Sequence, residues 1–133
     1  MLAGIWQKLH GLGCWLSQSM ITLFYWTGYL FTFWLPAKLI GLDIIPREAD
    51  VEDKHTFRHF ANSMAGTLFF YWVCNCSMLL SAVISFGLGW LIWEVLVDGI
   101  LKASDMRGYQ TSDVGADFWG AILPVLLYYL REL

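Results

Sequence analysis

Long apolar, aromatic-rich runs alternate along this chain with short stretches dense in Asp, Glu, Lys and Arg. Residues 2–12 set Leu2, Ile5, Trp6, Leu9 and Leu12 on one side of a helix and Gln7, Lys8 and His10 on the other. That spacing predicts an amphipathic helix, which either lies in a membrane interface or begins the first spanning helix. From Cys14 to Ile40 the only charge is Lys38, a run longer than the roughly 20 residues a hydrocarbon core requires. A first span over residues 15–37 follows, with Pro36 kinking its last turns.

Residues 41–54 carry Asp43, Arg47, Glu48, Asp50, Glu52, Asp53 and Lys54 around Pro46 and predict a solvated loop. Its acids lack the glycine and terminal glutamate spacing of an EF-hand loop. Phe60 to Trp93 then holds no Asp, Glu, Lys or Arg, too much for one ordinary span and slightly short of two. Two antiparallel helices, 55–74 and 77–101, resolve this if the chain reverses near Asn75-Cys76-Ser77, where Asn75 or Ser77 caps the second. The alternative is one rod of about 40 residues. Small residues Ala65, Gly66, Ser81, Ser85, Gly87 and Gly89 suit close helix approach. Residues 102–112 form a second polar loop, and 114–130 a fourth span interrupted by Pro124.

Composition turns this pattern into a fold class. The chain is 58% hydrophobic, 17% aromatic and 14% charged, against about 45–50% apolar and about 25% charged in soluble domains. We therefore expect one all-α domain over residues 1–133: a polytopic integral membrane protein of about four transmembrane helices, with or without an N-terminal interfacial helix. Eight Trp and six Tyr suit the aromatic belts of a bilayer. The start of the chain lacks the h-region and small-residue cleavage pattern of a signal peptide.

Charge sets the orientation. Lys38, Arg47, Lys54, Arg58, Lys102 and Arg107 fall on the loop side of such a threading, and only Lys8 and Arg131 on the terminal side. The positive-inside rule then places the charged loops in the cytoplasm. The net charge of −3 and scattered basic residues argue against nucleic acid, which needs a concentrated basic face. Cys14, Cys74 and Cys76 are too few and too oddly spaced for a disulfide framework or a zinc site.

The same threading gathers three pairs of ionisable residues at one membrane face: His55 with His59, Glu94 with Asp98, and Asp113 with Asp117. Each pair is four apart, so its members share a helix face about 5–6 Å apart at Cβ. Ionisable groups within spans are costly and mark functional sites. As metal ligands the six suit a divalent ion, Mg²⁺, Mn²⁺ or Ca²⁺ through oxygen and Zn²⁺ where imidazole joins. Arg58 and Arg107 would then hold an anionic head group, most naturally phosphate. Without metal, crowded carboxylates share protons and suit acid or base work. Helix ends at a membrane surface also carry such residues as plain anchors, and His10, His55 or His59 could ligate a haem or pigment.

His59-Phe60, Glu94, and Asp113, Asp117 and Gly120 resemble the pattern of VanZ-like and YfiM-type small membrane proteins: an Asp-Lys-x-x-His-Phe opening, an apolar hairpin, a Glu near the end of the next helix, and an Asp-x-x-x-Asn-x-x-Gly start. Here His55 stands where that opening has Asp, and Asp117 where the last motif has Asn. The resemblance spans residues 59–120 and implies a helical protein of the bacterial envelope. Asp98-Gly99 with the Asp113/Asp117 step is also similar to the motif of CDP-alcohol phosphotransferases, with Gly108 and Glu94 each displaced by one residue.

Two functions are expected from these observations. One is a membrane protein whose polar cluster binds a divalent metal or an anionic lipid head group in envelope lipid metabolism. The other is a structural or accessory subunit packing against other membrane subunits, lipids or a second copy of itself.

Overall fold

The computed structural model describes residues 1–41, 54–101 and 111–133, and within them not the side chains of 54, 55, 94, 97–99 and 101. Those residues are all helical apart from turns and chain ends. Both polar loops, most of 41–54 and nearly all of 102–112, lie outside the described residues.

Helix α1 runs Leu2–Tyr29, so residues 2–12 are not a separate interfacial helix but the first turns of a long one. Nothing in that stretch breaks it: no proline occurs before Pro36, and the glycines at 4, 11 and 13 each cost only about 1 kcal/mol. A π-helical turn, Leu30–Trp34, leads into the short α2, Leu35–Leu39. Pro36 offers no N–H to the carbonyl one turn back, and the widened turn lies directly before it. Gly41, at φ +80°, ends the run, its N–H returning to the Lys38 carbonyl at 3.1 Å. Only glycine takes that left-handed conformation cheaply.

Helices α3 (Lys54–Trp72) and α4 (Met78–Gly87) form the predicted hairpin. The reversal rests on two residues. Asn75 adopts a left-handed φ of +56°, tolerated by its short polar side chain. Ser77 caps α4, its hydroxyl accepting from the Leu80 N–H at 3.3 Å. This excludes the single rod. Beyond α4 the helix continues in π form over Leu88–Leu101.

Helix α5, Thr111–Arg131, is the centre of the fold, packing on α1, α3 and α4. It is buried continuously from Ser112 to Asp117 and again at Gly120, Ala121, Pro124 and Val125. Two crossings depend on missing side chains. A Cβ on Gly115 would fall on the Phe24 backbone carbonyl, and one on Gly28 on that of Thr111, so α1 and α5 touch backbone to backbone. Gly120 meets the Phe60 carbonyl of α3 in the same way. Phe24, 1% exposed, stacks on Phe60 with ring centroids 5.6 Å apart. Trp119 donates its indole N–H to the Thr27 hydroxyl at 2.9 Å. Met78, Ala82, Ala121 and Val125 form an apolar core between α4 and α5.

Helix α5 alone among the described residues is long and apolar enough to cross a membrane, and half of its most apolar window is buried within the protein. Leu2, Ile5, Trp6, Leu9, Leu12 and Trp15 of α1 stand exposed, since the first buried position of that helix is Ile21.

Candidate functional site

One face of α3 carries Thr56, His59, Ser63 and Thr67, spaced three or four residues apart and aligned on its axis. That face meets α5, where Asp113 and Asp117 lie one turn apart. Thr56 donates its hydroxyl to Asp113 Oδ1 at 2.9 Å, with both residues buried. The His59 ring lies between the two acids: Nδ1 is 3.3 Å from Asp117 Oδ2, and Nε2 is 3.7 Å from Asp113 Oδ2. The first is within hydrogen-bonding reach and the second is an ion-pair distance. A neutral imidazole has one N–H and can serve one carboxylate, whereas imidazolium faces both with a proton.

Below His59 the hydroxyls are committed to backbone. Ser63 donates to the Asp117 carbonyl at 2.6 Å and Ser85 of α4 to the Ser63 carbonyl at 2.6 Å. Thr67 reaches the carbonyls of Ser63 at 3.1 Å and Ala121 at 3.2 Å. These bonds tie α3, α4 and α5 together, and neither serine is held by a base, as a nucleophile would be.

A cavity of about 350 Å³ opens beside the His–Asp pair, within the size range of small-ligand sites. Its polar lining is His59, Asp117, Asn62, Ser63 and Ser85, and its apolar lining includes Phe70, Leu88, Ile92 and Trp93. The π-helical segment supplies Leu88, Gly89, Ile92 and Trp93, a spacing that follows one face of a coil closed by i→i+5 bonds. Gly89 faces the acid: a Cβ there would stand 3.1 Å from Asp117 Oδ2 and 3.4 Å from Oδ1. The Asp117 side chain is 3% exposed, and among the described residues only His59 binds its carboxylate.

Of the six expected metal ligands, His59, Asp113 and Asp117 come together. The side chains of His55, Glu94 and Asp98 lie outside the described residues. Among the described residues no group of three or more His, Cys, Asp or Glu side chains is placed to hold a metal ion, and both nitrogens of His59 are turned to carboxylates. Arg58 is exposed and not part of the cavity lining, and Arg107 lies outside the described residues. His10 lies 3.8 Å from Cys14 on the exposed part of α1. Thr56, Ser63 and Ser85 were not apparent as site residues from the ionisable pairs, although a polar stripe at helical spacing on α3 marks the first two. Comparison of the chain with known protein families, curated proteins and solved structures returns no match.

Proposed function

We propose that this is a small helical integral membrane protein that binds the polar end of a lipid-like amphiphile in the cavity beside His59 and Asp117, within the handling of envelope lipids. The cavity carries the reading: hydrogen-bonded polar residues, His59, Asp117, Ser63 and Ser85, line it together with the apolar Leu88, Ile92, Phe70 and Trp93. A water-soluble ligand would not need those apolar residues, and a purely apolar one would leave the buried acid unmatched. The membrane setting draws support from α5 and from the many large apolar side chains the protein exposes. In that setting the charged loops are cytoplasmic by the positive-inside rule. Native mass spectrometry of the protein extracted in mild detergent tests the reading. Retained lipid should be lost when Ser85→Leu fills the cavity, and a protein that never retains lipid would end it.

A second reading is that of a subunit in a larger membrane assembly. Its support is the first half of α1, where Leu2, Trp6, Leu9 and Trp15 stand largely exposed. Removing residues 2–12 would then release partner subunits while leaving lipid retention intact.

A further inference from the structure

Resting on the amphiphile reading above, we infer that the head group taken by this cavity is a protonated primary amine, presented by a membrane lipid and docked on Oδ1 of Asp117 in the gap left by Gly89. Asp117 is among the most buried polar residues, at 2% exposure. Oδ2 faces the His59 ring at 3.3 Å, while Oδ1 receives no hydrogen bond from the described residues. A buried carboxylate oxygen left without a donor is costly, and a ligand that brings an N–H repays that cost where it docks. Gly89 supplies the access. A Cβ at that position would press on the carboxylate from 3.1 to 3.4 Å, so a residue without a side chain stands where the acid meets the cavity.

Charge selects the ligand class. The ionisable residues of the described lining are His59 and Asp117, with no Lys or Arg among them. A phosphate monoester or other acceptor-only head group would meet a carboxylate without a cation to offset it. A quaternary ammonium carries the right charge but has no N–H for Oδ1. A primary ammonium has both, and Trp93 in the same lining offers an aromatic wall compatible with a cation. The apolar residues of the lining, Phe70, Leu88, Ile92 and Trp93, favour an amine that arrives on an acyl chain over a free amine in water.

The test uses the full chain in mixed micelles holding equal amounts of phosphatidylethanolamine, phosphatidylcholine and phosphatidylglycerol with identical acyl chains. Bound lipid is then counted by native mass spectrometry. The ethanolamine lipid should be retained about tenfold over the choline lipid, the size expected for one charge-assisted hydrogen bond. Asp117→Asn, which keeps the shape and removes the charge, should bring the ratio near one. Gly89→Ala should do the same with the acid still present, which guards against loss of fold in the first variant. Equal retention of ethanolamine and choline lipids, preference for the glycerol lipid, or an unchanged ratio in Gly89→Ala would each overturn the amine assignment while leaving amphiphile binding standing. Displacement of the lipid by equimolar free ethanolamine would also overturn it, in favour of a soluble amine. Retention of no lipid at all would overturn the amphiphile reading itself.

Discussion

Thr56 on α3 and Asp113 on α5 are joined by a 2.9 Å hydrogen bond between two side chains sealed from solvent. The bond fixes the depth at which the two helices meet, and with it the height of His59 against both acids. Removing the hydroxyl takes one hydrogen-bond donor away from a buried carboxylate. Thr56→Val should therefore lower stability by about 1.5–3 kcal/mol, read as a fall in the thermal midpoint in detergent. Thr56→Ser keeps the donor and should recover most of that loss. Equal midpoints for Val and wild type would show that the bond does not hold the helices in register.

The α1–α5 crossing reverses the usual sign of a glycine substitution. In an open helix Gly→Ala gains up to about 1 kcal/mol, and Gly11, with nothing within 4 Å of a Cβ, should behave that way. At Gly115 the added methyl would land on the Phe24 backbone carbonyl, which no rotamer change can relieve. Gly115→Ala should cost about 1–3 kcal/mol or more as the helices part. Parallel melts of the two variants check the opposite signs, and a stabilised Gly115→Ala would mean that the crossing is looser than described.

Much of this fold was legible in the sequence because the signals were local. The uncharged interval was too long for one ordinary membrane span and carried Asn75 and Ser77 at its middle, so the reversal and its cap were expected from length and capping chemistry, with one long rod as the alternative. The meeting of His59 with Asp113 and Asp117 followed from that reversal. What could not be read was which faces touch. Ser63 and Ser85 look like ordinary small residues of apolar helices until three backbones are brought close enough for their hydroxyls to bridge carbonyls. Gly89 looked like a packing glycine, and its place opposite Asp117 depends on the π form of its segment, which turns side chains differently from an α-helix. Of the six side chains expected around a metal ion, the described residues bring His59, Asp113 and Asp117 together, while the side chains of His55, Glu94 and Asp98 lie outside them.

That arrangement carries a prediction about metal. A ligating imidazole turns one nitrogen to the ion and the other to a supporting partner, but here both nitrogens of His59 face carboxylates, at 3.3 and 3.7 Å. Chelator treatment of the purified protein should leave its thermal midpoint unchanged, and elemental analysis should find no stoichiometric divalent ion. A midpoint that falls with EDTA and returns with Zn²⁺ or Mg²⁺ would instead mean that Glu94 and Asp98 complete a centre with the three described residues.

The last prediction concerns the ion pair itself. With His59 in place, its ring stands between two buried acids, Asp113 and Asp117; without it, both lose that shared partner. Removing one partner from a buried pair costs about 3–5 kcal/mol, much of it the desolvation of the charge left behind. His59→Ala should therefore be among the most destabilising single changes in the protein. If stranded charge is the reason, His59→Ala with Asp117→Asn should be more stable than His59→Ala alone, although it removes more of the native site. A double-mutant cycle of thermal midpoints measures this directly, because neighbouring charges give coupling where independent packing losses add. Simple additivity would mean that His59 acts by filling space between α3 and α5, and that the two acids are kept apart by Thr56 and the helix crossing instead.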